Sequence, residues 1–472
     1  MLKKTKNIRK ILIANRGEIA VRLIRACRDL GLKSVIVFSE ADAGAFPTRL
    51  ADERYLLNGS TATQTYLDSK KIIDAAIETN SDAIHPGYGF LSENSDFAKL
   101  VEDSGLILIG PSSDVIFEMG DKLRAREIAK KAKVPVLEAF EYEGQIKEAE
   151  KFTKKLGFPV IIKASAGGSG RGIRVCESHE ELEAKLEDAA KEAKSAFGNE
   201  KVYIEKFLVS PRHIEVQIFG DNHGNFIHVF ERECSIQRRR QKLVEEAIAP
   251  NLSPVLAKKL REAAISLAKK VNYNSAGTLE FLVDQGESDS GSFFFLEMNT
   301  RLQVEHTVSE EVSGIDLAKL QIEIALGKKI EPKMISKDPD KHSIQFRLYA
   351  EDPNADFLPS MGTISSCYLP TGPGVRVDTW IEKGTVISPF YDALLAKIIV
   401  TGATRDEVLE RAKRALYETR IEGVKTNVEF FIWLLGEDDF KNANVHINWL
   451  EQKFKKTNQQ KSSYFVGALT EE

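Results

Sequence analysis

The sequence predicts an α/β protein that carries a smaller α+β lid. Three features support this: alternating strand and helix patterns up to Gly110-Pro111, two charged helices flanking a Gly-rich loop, and a strand- and glycine-rich stretch that turns helical after about Val400. At 472 residues the chain has room for about three domains. A chain of that size needs neither disulfide nor metal to stabilise its core.

Residues 11–14 read as a buried strand and 15–17 as a turn. Ile19, Val21, Leu23, Ile24 and Cys27 then recur at helical spacing up to Leu30. Gly31 stops that helix, and 34–38 is the next strand. Strand–helix–strand order argues for a parallel sheet, with 81–84 and 106–109 as later strands. Residues 147–155 and 177–197 read as charged helices, 158–163 as a strand entering the Gly-rich loop, and 201–205 as the strand closing the lid. The expected domains are 1–118, 119–330 with the lid at about 134–207, and 331–455, followed by a polar tail at 456–472.

Composition excludes some functions. Hydrophobic residues make up 42% and charged residues 29%, as a packed soluble enzyme requires. Lys plus Arg total 66 against 70 for Asp plus Glu, a net charge of −4, so neither nucleic acid nor an anionic membrane is an expected partner. Cys27, Cys176, Cys234 and Cys367 show no CxxC spacing, which argues against a thiolate zinc site and fits a reducing cytoplasm. The basic N-terminus leads into a short strand and not into a signal-peptide apolar region. No apolar run of about 18 residues predicts a membrane span.

Several strings carry chemistry. Lys163 stands at the mouth of a loop with glycines at 167, 168, 170 and 172, whose backbone N–H groups can approach an anion closely. Taken alone, the loop fits a phosphate-covering flap or a plain surface hairpin equally well. It is not a Walker loop, because GxxxxGK[ST] is absent. A second string is stronger. Glu297, Asn299, Arg301, Gln303 and Glu305 alternate with other residues after the apolar run 293–296, so an extended segment would place all five on one face. Carboxylate and amide oxygens suit Mg2+, and a guanidinium suits a planar oxyanion such as bicarbonate. A solvated strand face is the competing account. Antiparallel pairing with 277–284 could set Glu280 beside Glu297, and two buried like charges call for a cation. The run 233–242, with Gln237, Arg238, Arg239, Arg240 and Lys242, fits either an anion pocket or a basic surface stripe. Lys122 and His213 read singly as an ordinary lysine and a hydrogen-bonded histidine. HExxH and GxSxG motifs are absent.

Together these strings resemble the biotin carboxylase subunit or domain of the ATP-grasp superfamily, over residues 11 to about 450. Residues 13–20, 85–94, 163–174, 235–246 and 297–306 carry the resemblance, with 347–353 and Tyr391-Asp392. It implies a Rossmann-like N-terminal domain, a central ATP-grasp domain with a mobile lid, and a C-terminal body. It also implies roles. Lys122, Lys163, His213, Gln237 and Arg240 match nucleotide contacts, Ser169 and Gly170 the covering loop, and Glu205, Lys206, Phe207 and Leu208 the hinge that receives adenine. Glu280, Glu297 and Asn299 match ligands of Mg2+ (or Mn2+). Lys242, Arg301, Gln303 and the Val304 backbone match the bicarbonate pocket, Glu305 the general base, and Arg347 the residue that steadies biotin. The implied reaction runs from ATP and bicarbonate through carboxyphosphate to carboxybiotin, with biotin as substrate on a carrier protein.

The sequence departs from the family pattern at several positions. Arg240 stands for the usual His, Ala166 and Ser169 for glycines, Glu233 for Asp, Thr307 for Pro, and Gln345-Phe346 for Glu-Cys. None of these removes a proposed catalytic side chain. An Ala-Met-Lys-Met biotin-acceptor motif is absent, and Pro332-Lys333-Met334-Ile335 is only a partial echo. The expectation is a free-standing cytoplasmic homodimer served by a biotin carboxyl carrier protein and a carboxyltransferase subunit. Competing readings are another ATP-grasp ligase, such as a carbamoyl-phosphate synthetase half, and a regulatory subunit that binds ATP without turnover.

Overall fold

The computed structural model describes residues 8–165, 173–284, 291–335 and 338–453. Its first layer is a parallel five-stranded sheet, ordered Glu53–Leu57, Lys33–Ser39, Lys10–Ile13, Ala83–His85, Ile107–Leu108. The central strand is apolar because helices cover both faces of such a sheet, and Ile11, Leu12 and Ile13 are fully buried. The helix Gly17–Asp29 starts where the sequence turns. Gly17 has φ +66°, a conformation glycine adopts without strain. Asp68 and Asn94 cap the helices Ser69–Glu78 and Ser95–Asp103 by accepting from Lys71 N and Phe97 N.

The lid is a separate antiparallel sheet, ordered Ala139–Tyr142, Val202–Lys206, Val160–Ala164, Ile173–Cys176. Ala149, Leu186 and Ala189 of its helices pack with Val160, Ile162 and Ile204 in a core of their own. Its second helix runs Leu182–Phe197 and so begins later than the expected residue 177. The Glu181 carboxylate accepts from Glu177 N, and the Cys176 thiol donates to Ser178 O, which makes 177–181 a turn.

The largest sheet is antiparallel and eight-stranded: Ser292–Asn299, Ser275–Asp284, Arg212–Gly220, Phe226–Arg238, Gln241–Ala247, His342–Tyr349, Leu394–Gly402, Val375–Thr379. It is continuous across residue 330, so the expected domain limit there falls between strands of a single sheet. The helix Pro254–Lys270 packs on the part formed by residues 212–299, and Arg405–Glu418 on the C-terminal part. All four cysteines are free thiols. Among the described residues no helix is long and apolar enough to cross a membrane.

Candidate active site

Charged side chains meet on the eight-stranded sheet. Glu297, Glu280, Glu215 and Arg232 stand directly opposite one another on four neighbouring strands, and opposite residues share a face. Three carboxylates in one row would repel, and Lys242 offsets this. Its ammonium donates to Glu215 Oε2 at 2.6 Å, Glu280 Oε1 at 2.8 Å and Glu305 Oε1 at 2.6 Å. Burial opposes its charge, but Glu215, Glu280 and Glu305 raise the Lys242 pKa well above the usual lysine range. Arg232, wholly buried, pairs with Glu215 and donates to Gln217 Oε1 at 2.9 Å and Ser309 Oγ at 3.0 Å.

His213 is not the lone histidine its sequence neighbours suggest. Its Nε2 lies 3.0 Å from Glu280 Oε2, and its Nδ1 lies 2.7 Å from Gln237 Nε2. Burial pushes against a charged Glu280, yet Lys242 and His213 hold that carboxyl well below the ordinary range. Glu297 goes the other way: burial and then the neighbouring Glu280 raise its pKa, against the opposing pull of Lys122.

The five-residue polar row is not one extended strand. The strand ends at Asn299, residues 300–305 form loop and turn, and Glu305 leads directly into the helix His306–Ser313. Alternation therefore places only Glu297 and Asn299. The other three converge through hydrogen bonds. Arg301 donates to Glu93 Oε2 at 2.7 Å, Asn299 Oδ1 at 2.9 Å and Gln303 Oε1 at 2.8 Å. Asn299 Nδ2 and Gln303 Nε2 both donate to Glu280 Oε1, at 2.8 and 3.1 Å. Asn299 Oδ1 thus accepts from Arg301 and, like any amide oxygen, keeps a second lone pair.

Glu305 is fully buried between two cations. Besides Lys242, Arg347 Nη2 donates to its Oε2 at 2.9 Å, and Arg347 Nε donates to Glu245 Oε1 at 2.6 Å. Burial would raise the Glu305 pKa, but Lys242, Arg347 and Arg232 outweigh it and hold the carboxyl well below the usual range. The run 233–242 is neither a stripe nor a single pocket. It is a hairpin whose turn residues Arg239 and Arg240 both have positive φ, 48° and 66°. Gln237 and Lys242 face inward, while Arg238 and Arg239 pair with Asp356 on the outside.

On the lid, Lys163 Nζ lies 2.5 Å from Glu205 Oε2, and Arg126 of the helix Lys122–Lys131 pairs with the other Glu205 oxygen. Lys122 opens that helix and is half-buried. After the strand ending at Lys206, Phe207 N donates to Pro159 O at 3.3 Å, and Phe207 and Leu208 are half-buried. Ser169 and Gly170 lie outside the described residues.

Known proteins match this chain over most of its length. A model of the biotin carboxylase N-terminal domain matches residues 7–116, the ATP binding domain of the carbamoyl-phosphate synthase L chain matches 121–333, and the biotin carboxylase C-terminal domain matches 345–452. Biotin carboxylase 1 of Bacillus subtilis is 46% identical over 94% of this chain and 98% of its own length. The chain belongs to the biotin carboxylase family. Solved structures similar to it include two with nucleotide bound. One is the biotin carboxylase domain dimer of Hydrogenobacter thermophilus 2-oxoglutarate carboxylase with MgADP, ADP and bicarbonate: TM-score 0.89, 43% identity, 95% of this chain and 98% of that one. The other is a biotin carboxylase–β-γ-ATP complex from Campylobacter jejuni: TM-score 0.90, 42% identity, 94% and 99%.

Sequence reasoning missed several charged groups of this cluster: Glu215, Arg232, Glu245, Arg126 and Lys397. All are buried or nearly so. Glu215 sits between Ile214 and Val216 in a strand buried on both faces. That alternation reads in sequence as one solvated face, because the second layer covering it comes from distant residues. The remaining signal was local: Glu215 follows His213 at the same-face spacing.

Proposed function

We propose that this chain is an ATP-dependent ligase that uses bicarbonate to carboxylate biotin presented by a carrier protein, the first half-reaction of a biotin-dependent carboxylase. The observation that carries the reading is the Glu305 carboxylate held between Lys242 and Arg347, beside Arg301 and Gln303. A buried carboxylate gripped by two cations is a weak base. It becomes a competent one when an incoming anion draws those cations to itself. Bicarbonate is such an anion, and it also brings the proton to be removed.

Glu305 takes the bicarbonate proton, and the freed oxygen forms a bond to the γ-phosphorus of ATP as the bond to ADP breaks. The carboxyphosphate so formed separates into CO2 and phosphate. Phosphate takes the proton from biotin N1, and that nitrogen attacks CO2. Arg347 stabilises the charge developing on the ureido oxygen. Lys122, Lys163, His213, Gln237 and Arg240 contact the nucleotide, and residues 205–208 receive adenine. Lys163 exchanges its Glu205 contact for phosphate as the lid closes and excludes water. Glu280 and Glu297 would hold Mg2+ or Mn2+, joined by the second lone pair of the Asn299 amide oxygen. The high Glu297 pKa fits a site completed by a cation. When bound, that ion supplies charge neutralisation for the transferring phosphoryl group.

The working assembly under this reading is a homodimer, with a biotin carboxyl carrier protein and a carboxyltransferase subunit as partners. The test is ATP cleavage by the purified chain with Mg2+, with and without bicarbonate, then with free biotin. Cleavage that requires bicarbonate and rises with biotin is expected. ATP bound but uncleaved under every condition would overturn the reading.

A further inference from the structure

Arg347 and Lys397 are directly opposed in the antiparallel ladder between His342–Tyr349 and Leu394–Gly402, so both side chains leave the same sheet face. They end on consecutive residues of one loop. Arg347 Nη2 lies 2.9 Å from Glu305 Oε2, and Lys397 Nζ donates to Val304 O at 3.1 Å. The loop needs such support, because residues 300–305 carry no strand pairing, and a ladder would otherwise fix their backbone.

Lys397 is completely buried. A buried ammonium is retained only where partners satisfy it. Glu18 Oε2 lies 3.1 Å away on the N-terminal helix Gly17–Asp29, and Asp378 Oδ2 lies 3.9 Å away on the neighbouring strand. Tyr88 in turn donates its hydroxyl to Glu18. One ammonium thus joins the first domain, the C-terminal sheet and the loop that carries Gln303, Val304 and Glu305. Glu18 and Asp378 account for its charge, while the contact with Val304 O fixes a backbone carbonyl between two side chains of the pocket.

We infer that Lys397 is a positioning residue for the bicarbonate pocket: it sets the height of Val304, and through it the reach of Gln303 and Glu305. This rests on the biotin carboxylase reading above. A misplacement of about 1 Å at reacting groups costs on the order of a hundredfold in rate, so a sizeable effect is expected from a residue that touches no substrate.

The test compares Lys397→Met, Glu18→Gln and the double variant by steady-state kinetics, ATP binding and thermal melting. Lys397→Met strands Glu18 and is expected to melt lower. The double variant removes both charges and is expected to recover most of that loss. In the double variant kcat/KM for bicarbonate stays down by about tenfold or more, while the Kd for ATP stays within about twofold. Glu18→Gln alone leaves the Lys397–Val304 contact and keeps kcat/KM for bicarbonate within about threefold. With a bicarbonate-dependent wild type, normal bicarbonate kinetics in a folded double variant, or a parallel loss of ATP binding, would remove this inference alone. A wild type that ignores bicarbonate would remove the reading beneath it as well.

Discussion

Gln345 Nε2 donates to Glu245 Oε2 at 2.9 Å, and Thr307 donates its hydroxyl to the Gln345 oxygen. Both positions read in sequence as departures from the resembled family pattern, and in the fold they touch. Thr307 supplies a donor that Pro would match in backbone shape but not in hydrogen bonding. The Gln345 amide takes that donor on one side and satisfies Glu245 on the other. Glu245 holds Arg347, so the pair orients the residue proposed to steady biotin. Burial, with Glu305 nearby, keeps the Glu245 pKa above the ordinary range despite Arg347.

Restoring only one of these departures should therefore harm the protein. Gln345→Glu puts a second buried carboxylate against Glu245. Both acids then have folded pKa values above the unfolded value of about 4.3, so stability falls as pH rises from there through the folded values. The variant is expected to be less stable than wild type by about 1–3 kcal/mol near pH 8, and so to melt lower there, and by less near pH 5. Melting temperatures across that range would show it; a gap that does not change with pH would count against it.

Glu305→Gln keeps the shape of the pocket and removes the proposed base. Bicarbonate-dependent ATP cleavage is expected to fall by about 10² to 10⁴-fold. ATP binding, measured by calorimetry, should stay within a few-fold. Equal losses in both would assign Glu305 to folding instead of proton transfer.

Glu297→Gln tests the metal assignment in two directions. Without metal it relieves the repulsion with Glu280, so the variant should melt no lower than wild type. With ATP it should need about tenfold or more Mg2+ for half-maximal cleavage. An unchanged Mg2+ requirement would exclude Glu297 as a ligand.

Glu246 offers a prediction away from the chemistry. Burial works against its charge, but Arg405 at 2.8 Å and His342 at 3.0 Å pull its pKa down to about 2. An unfolded Glu titrates near 4.3. Its contribution is thus fully present above about pH 4.3 and lost as pH falls towards 2, amounting to about 3 kcal/mol at neutral pH. Denaturant titrations of wild type and Glu246→Gln should differ at pH 6 and converge near pH 2 to 3. A difference that persists at low pH would mean that packing, and not the ion pair, carries the effect.

The sequence by itself determined the α/β character and the alternation of elements, because periodicities of 2 and 3.6 and glycines at turns are local properties. It also suggested the Glu280–Glu297 partnership through one hairpin, but the exact register came from the structure, where an irregularity between Glu280 and Phe281 shifts the pairing by one residue and sets the two glutamates opposite. Its strings were enough to mark the family resemblance. Only the tertiary structure decided how the rest of the site closes. The polar row ceases to be a strand after Asn299, yet its side chains still converge, because Lys242, Arg347 and Lys397 reach it from strands remote in sequence. His213 read as ordinary until Glu280 and Gln237 arrived beside it. A charged residue looks the same in sequence whether it faces water or another charge. Burial and partnership are set by which distant strands pair, and local pattern does not encode that.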